Sequence, residues 1–343
     1  MNQDITLTVD YHDKRCVIRR RDHATGEERM MTVLTSQVEL EQVIREACSV
    51  AGPRGGNVTW IQESTTGWAR VKRLVEPQAR FVLANVLQMP LPPKARRRKT
   101  DKVDTARLQR EFLSGELPLA YQPPAGWRRA RRLVALRENL VNRRTALTNW
   151  IDRYLAHETW VDRSGLWSRR GLSRLRALPL PKRDRQIVDW KLEELDQVKQ
   201  RLGEVEAAIV RLYDAWPTAQ RLDAIRGIGV VAAVSILVRI GPVKRFASAE
   251  QLIAFAGLAP GVYQSDDTRR AGRIGGGGTD KHLRHYLIEA TIWARDIPRY
   301  QGAYQRALRR RGKKIARLVV ARMLARSIYK MLCDQVPFQP TAA

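Results

Sequence analysis

Residues 261–287, GVYQSDDTRRAGRIGGGGTDKHLRHYL, crowd reactive and charged groups into a short span. Ser265 stands two residues after Tyr263, and Arg269, Arg270, Arg273, Lys281 and Arg284 follow. A hydroxyl is a weak nucleophile until its surroundings assist it. Guanidiniums stabilise the charge that builds on a phosphate under attack. The glycine run Gly275–Gly278 lets backbone approach closely and leads into a helix start whose N–H groups suit another phosphate. The group that matches this set is a phosphodiester. Chemistry alone leaves Ser265 and Tyr263 both open as nucleophiles, and the sequence shows no base for Ser265. His282 and His285, at helical spacing, read as helix surface or phosphate contacts rather than metal ligands.

A second set is acidic. Asp10 interrupts an alternating pattern in TVDYH, Glu63 ends TWIQES, and Asp101 and Asp104 lie in KTDKVDTARL. On a helix, the i, i+3 pair Asp101 and Asp104 shares a face. Acids at strand ends that converge with such a pair form an all-oxygen site suited to Mg²⁺ or Mn²⁺. Two ions held there clamp the attacking and leaving oxygens of a phosphodiester. The alternative is four unrelated surface or capping acids, and spacing leaves it open.

Composition supports a polyanionic partner. The 343 residues carry 62 Lys and Arg against 35 Asp and Glu, a formal net charge of +27. Counterion release from phosphates is the main electrostatic gain that such an excess brings. The chain is long enough for two or three domains. No run approaches the length of a membrane-spanning helix, and MNQDITLTVD has no apolar core of a signal peptide. Cys16, Cys48 and Cys333 are widely spaced and form no CxxC pair, so neither zinc nor a disulfide framework is indicated. The expectation is a cytoplasmic, nucleoid-associated protein with no membrane partner.

The elements that must position these groups are legible as patterns. DITLTVDYH, RCVIRRRD and RMMTVLTS read as a strand meander. SQVELEQVIREACSVAG reads as a helix, NVTWIQES as a strand, GWARVKRLVE as a helix and RFVLANV as a strand. This predicts a mixed α/β domain over 1–125. From 126 to 216 the spacing is helical. Leu133, Leu136, Leu140, Leu147, Trp150 and Tyr154 form one series, with Arg143 in its missing place. Leu195, Val198, Leu202, Val205, Ile209, Leu212 and Trp216 form a second, and ALPLPKRD separates them. The second series predicts coiled-coil pairing, as a hairpin or between chains. Residues 217–343 read as mainly helical. RLDAIRGIGVVAAVSIL has the apolar-Gly-x-Gly turn of a helix-hairpin-helix, as suited to a bare tight turn as to a phosphate. Arg309, Arg310, Arg311, Lys313 and Lys314 cluster in a basic tail that fits a phosphate backbone.

Taken in order, TVD, IQES, RRRKTDKVDTARL, LDAIRGIGVVAAVSIL, FASAEQLIAFAGLAPGVYQSDDTRRAGRI, LRHYLIEA and RRGKKIARLVVARMLARSIYKML resemble the DEDD transposases of the insertion-sequence one-hundred-and-ten family, the bridge-RNA-guided recombinases. The resemblance implies an RNase H/RuvC-like first domain. It implies metal binding by Asp10, Glu63, Asp101 and Asp104, and covalent attack on DNA by Ser265. It also implies donor and target DNA and an element-encoded guide (bridge) RNA as partners. The assembly would be a homo-oligomer, dimer or tetramer, with acids from one subunit and serine from another. Asp266 follows the serine where the family is expected to carry Gly, and four glycines follow Ile274 in place of mixed basic residues. The rival reading is a junction-type nuclease that uses the acids alone.

Overall fold

The computed structural model describes residues 3–89, 101–158, 162–265, 268–274 and 278–341. For 101, 102, 260–265 and 268–274 it describes backbone only. The chain separates into two compact units, 1–122 and 123–343. Residues 126–216 and 217–343, read from the sequence as two regions, therefore fall within one unit.

In the first unit, β1 (Ile5–Tyr11), β2 (Arg15–Asp22) and β3 (Glu28–Leu34) form an antiparallel meander, and β4 (Val58–Glu63) and β5 (Arg80–Ala84) extend it in parallel with β1. The strand order is β3-β2-β1-β4-β5. α1 (Gln37–Ala51), started by a Ser36 side chain that accepts from the Glu39 amide, and α2 (Trp68–Val75) follow β3 and β4. The two-residue period of a strand divides β1. Ile5, Leu7, Val9 and Tyr11 join Leu40, Val43, Ile44, Val71 and Val75 of the helices in one buried cluster. Thr6, Thr8 and Asp10 therefore belong to the opposite face, and they too are buried. That second face is covered by α3 (Asp101–Leu113), whose Leu108 packs with Ile61 and Val82.

In the second unit, α4 (Ala125–Glu158) and α6 (Lys182–Asp214) pair as a hairpin, with the short α5 (Arg169–Arg176) between them. Leu195, Val198, Leu202 and Ile209 of the expected seam are buried. Their cover comes from within the chain: Leu195, Val198 and Leu202 cluster with Leu140, Leu147, Ile151 and Leu155 of α4, and Ile209 belongs to a second cluster with Ala130 and Val134. The seam is thus occupied inside one chain rather than left for a second copy. Arg143, the gap in the α4 series, pairs with Glu194 at 3.2 Å. The α4 series itself needs correction. Leu136 and Trp150 are exposed, and the buried stripe runs instead through Ala130, Val134, Leu140, Leu147, Ile151 and Leu155.

The remaining elements are α7 (Pro217–Asp223), α8 (Val230–Ile240), α9 (Ala249–Phe255), the hairpin β6 (Pro260–Ser265) and β7 (Thr268–Ile274), α10 (Lys281–Ala294) and α11 (Pro298–Asp334). The apolar faces of these helices, with Ala130, Val134 and Ile209 of the long hairpin, form the largest core. Gly227, in the α7–α8 turn, has φ +98°, and a Cβ there would sit 2.5 Å from the Ala290 carbonyl oxygen and 3.1 Å from Trp293 Cβ. The first glycine of the Gly-x-Gly turn is thus demanded by close packing on α10. Among the described residues no helix is long and apolar enough to cross a membrane.

Candidate functional site

Asp10 and Glu63 come together at the strand ends of the sheet. β1 and β4 run parallel in the register Thr8↔Ile61 and Val9↔Gln62. One residue further, Asp10 and Glu63 occupy neighbouring positions on the same face, at the C-terminal ends of both strands. That edge is where ligands of parallel sheets bind. Asp10 is 7% exposed, with the exposed His12 ring nitrogen Nε2 at 3.4 Å from its Oδ2. Glu63 is half-buried and lies in register with Ala84 of β5.

α3 brings the other pair to the same end. Gln109 donates from Nε2 to Thr6 Oγ1 at 3.3 Å, and Arg19 donates from Nε to Thr105 Oγ1 at 3.5 Å. Arg19 is the β2 partner of Thr8. The helix therefore runs antiparallel to β1, with 109 at the level of Thr6 and 105 at the level of Thr8. Four helical residues rise about 6 Å, close to the ~6.6 Å of two strand residues. The next step places position 101 at the level of Asp10. Asp101 and Asp104 thus lie in the first turn of α3 beside the strand ends that carry Asp10 and Glu63. Asp104 is half-buried; the Asp101 side chain lies outside the described residues. Among the described residues, no group of three or more His, Cys, Asp or Glu stands close enough to hold a metal ion. The donor set itself, carboxylate oxygen throughout, suits a hard divalent cation.

Sequence reasoning missed the residues beneath the acids. Thr6, Thr8 and Thr105 are buried polar side chains, and Gln109 is buried beside them. They make the floor under the acids polar and bind α3 to the sheet. The alternation in ITLTVD, which puts Thr6, Thr8 and Asp10 on one face, was the available signal.

The serine stretch lies in the second unit. β6 and β7 pair antiparallel, with Ser265 opposite Thr268, Gln264 opposite Arg269 and Tyr263 opposite Arg270. Arg273 falls near the end of β7. Ser265 is thus the last residue of its strand, at the far end of the hairpin from Pro260 and Ile274. Asp266, Asp267 and Gly275–Gly277 lie outside the described residues, and Gly278 has φ +80°. The segment that carries the hairpin is pinned at its base. The Asp280 amide donates to the carbonyl of Phe255, the last residue of α9, at 2.7 Å. The Asp280 side chain caps α10 by accepting from the Leu283 amide at 2.9 Å.

A charged cluster surrounds that cap. Arg239 Nη1 is 3.8 Å from Asp280 Oδ2, and its Nη2 is 3.8 Å from Glu138 Oε2. Glu138, on α4, also meets His282 Nδ1 at 2.6 Å. Burial pushes the nearby Tyr286 hydroxyl above its ordinary range; the Ser235 hydrogen bond opposes this, and the charge of Glu138 adds to it. His282, read from sequence as surface or phosphate contact, is exposed and already engaged with Glu138. Lys281 and His285 are exposed and Arg284 is half-buried on the same helix.

Residues 219–307, from α7 into α11 and including the whole hairpin, match the profile described as "Transposase IS116/IS110/IS902 family". Over that segment the chain is similar to the IS110/IS116/IS902 transposases. It is 26% identical over 220 residues to the "Probable family 20 transposase" of Pseudomonas aeruginosa, covering 60% of this chain and 63% of that one. It is 24% identical over 279 residues to the "Putative transposase y4pF/y4sB" of Sinorhizobium fredii, covering 77% and 69%. It is 22% identical over 321 residues to the "Transposase for insertion sequence element IS1111A" of Coxiella burnetii, covering 87% and 79%. The last of these alignments is long enough to involve both units.

Proposed function

We propose that this chain is an insertion-sequence transposase that cuts and rejoins DNA through a phosphoserine intermediate. The observation that supports the reading most is the match of residues 219–307, which include the serine hairpin, to a transposase family, and the β1–β4 register that sets Asp10 beside Glu63 is consistent with it. In this reading the first unit is an RNase H/RuvC-like domain. A meander of three antiparallel strands extended by two parallel ones, with helices on both faces, supports that assignment.

Ser265 Oγ attacks a DNA phosphorus, the O–P bond to serine forms, and the sugar oxygen leaves with a proton. Attack by a sugar hydroxyl on the phosphoserine reverses these steps and frees Ser265, so strands rejoin without an external energy source. Arg269, Arg270 and Arg273 offset the charge on the phosphate, and Lys281 and Arg284 hold the flanking backbone. Asp10, Glu63, Asp101 and Asp104 would hold Mg²⁺ or Mn²⁺, which supplies Lewis-acid stabilisation of phosphate oxygens when bound. An element-encoded bridge RNA, paired with donor and target DNA, would select the sites, leaving the protein to grip duplex backbone. The working assembly is a dimer or tetramer.

The test is a nicked suicide substrate incubated with the protein and its RNA, then denaturing electrophoresis and peptide mapping. Wild type should yield a DNA adduct on the peptide carrying Ser265, and Ser265→Ala none. An adduct on Tyr263 would reassign the nucleophile. Cleaved DNA without adduct, unchanged in Ser265→Ala, would leave a metal-dependent nuclease that uses the acids alone.

A further inference from the structure

α11 is not one continuous helix. Tyr300 and Tyr304 are buried before Gly312, and Ala316, Val320, Leu324 and Ile328 after it. At about 100° per residue, Tyr304 and Ala316 would lie about 120° apart around an unbroken helix, so a straight rod could not bury both stripes. Gly312, at φ 76° and ψ 173°, interrupts the helix and resets the phase. A position with φ in this region favours glycine.

The interruption sits inside a block of cations. Arg306, Arg309, Arg310, Arg311, Lys313 and Lys314 are all exposed. No acid occurs between Asp296 and Asp334. The later arginines of the same helix are engaged within the fold. Arg317 Nη2 donates to the Ile288 carbonyl at 2.8 Å and reaches Glu289 at 3.2 Å, Arg322 Nε donates to the Leu258 carbonyl at 2.7 Å, and Arg326 pairs with Glu250 at 3.1 Å. Among the described residues the six cations around Gly312 have no such counterparts. Like charges at i, i+4 within the helix before the break, here 306–310, destabilise it, and the neighbouring cations on both sides of Gly312 add to the repulsion. A patch that costs the free protein stability and contributes nothing to its core is explained by a polyanion that neutralises it.

We infer that the bend of α11 at Gly312 is a docking surface for duplex DNA, on which Arg306, Arg309, Arg310, Arg311, Lys313 and Lys314 contact the phosphate backbone. This rests on the strand-transfer reading above and adds a surface that lies mostly beyond the matched transposase segment, which ends at 307. Contacts of this kind position the duplex without reading its sequence.

The experiment measures affinity for a fixed mixed-sequence DNA duplex against NaCl concentration, using the full chain. One variant carries Arg309→Gln, Arg310→Gln, Lys313→Gln and Lys314→Gln. A control removes the same charge elsewhere, through Arg169→Gln, Arg170→Gln, Lys182→Gln and Arg183→Gln, all exposed on α5 and the start of α6. Each lost phosphate contact should reduce the slope of log affinity on log salt by about 0.9, so the bend variant should fall short of wild type by roughly 3–4. The control should keep the wild-type slope, and circular dichroism should be the same for all three. An unchanged slope in the bend variant, or an equal loss in the control, would overturn the surface. Loss of binding to a structured RNA with DNA binding intact would overturn the choice of DNA. A wild-type chain with no affinity for duplex DNA would instead overturn the transposase reading itself.

Discussion

Two buried aspartates of the first sheet show how differently the same side chain can be used. Asp22, 5% exposed, has its Oδ2 at 3.0 Å from Arg54 Nη2 and accepts from the Ala24 amide at 3.0 Å. Burial alone would raise its carboxyl, but Arg54 and the amides of Ala24 and Thr25 outweigh burial and hold it below the ordinary value. Its folded value is depressed, so its contribution is present above the unfolded value near 3.9 and is lost as pH falls through the lower folded value. Asp22→Ala should cost about 1–3 kcal/mol at neutral pH, read from urea unfolding, and the deficit should shrink in acid. Asp10 sits at the strand ends above a threonine floor, next to Glu63 in register and with His12 Nε2 at 3.4 Å from its Oδ2. Asp10→Asn should abolish strand transfer while leaving urea stability and duplex binding near wild type. A large stability loss would make Asp10 structural. The acid in TVDYH was legible because it breaks an alternation. Its closeness to Glu63 was not, because that depends on the β1–β4 register across a helix and two strands.

Elements were legible where one period dominates. The meander, α1, α2, β4 and β5 fall within a residue or two of the stretches that predict them. The α4 stripe was misread because a series beginning at Leu133 keeps a strict heptad, whereas a straight helix drifts by about 20° per heptad. By the second half of α4 the buried positions are Ile151 and Leu155, one past Trp150 and Tyr154. Because the partner of α6 is α4 of the same chain, Leu202→Asp should place a charge against Leu-rich packing and cost several kcal/mol of folding stability. Calorimetry should show the loss at any protein concentration. Dissociation of an otherwise stable fold, seen by light scattering, would return the seam to a second copy. The α7–α8 turn gives a sharper comparison. Gly227→Ala meets both a positive φ and a carbonyl oxygen, and should lower stability by about 2 kcal/mol or more. Gly229, at φ −84° with open space around its Cβ position, should accept Ala at a cost of no more than about 1 kcal/mol. Equal losses would contradict the packing explanation of the first glycine.

At the scale of the molecule, the proposed chemistry is divided between two units. The acids belong to 1–122 and the serine to 123–343. The resemblance that first suggested this division also implied that acids of one subunit serve the serine of another. That arrangement has a direct genetic test, because each half of the site can be removed separately. Asp10→Asn leaves a chain with an intact serine, and Ser265→Ala leaves one with intact acids. If a site is assembled within one chain, every chain in a mixture of the two is defective and mixing restores nothing. If it is assembled between chains, a mixed dimer pairs the acids of the Ser265→Ala chain with the serine of the Asp10→Asn chain and contains one complete site. Co-expression of the two variants with the guide RNA and a donor–target pair should therefore restore part of the recombination that neither supports alone, and the covalent adduct should map to the Asp10→Asn chain, distinguished by a mass tag. Restored recombination with the adduct absent would separate strand transfer from the serine. No restoration, with mixed dimers demonstrated by pull-down of the tagged chain, would place the acids and the serine of one site in a single chain.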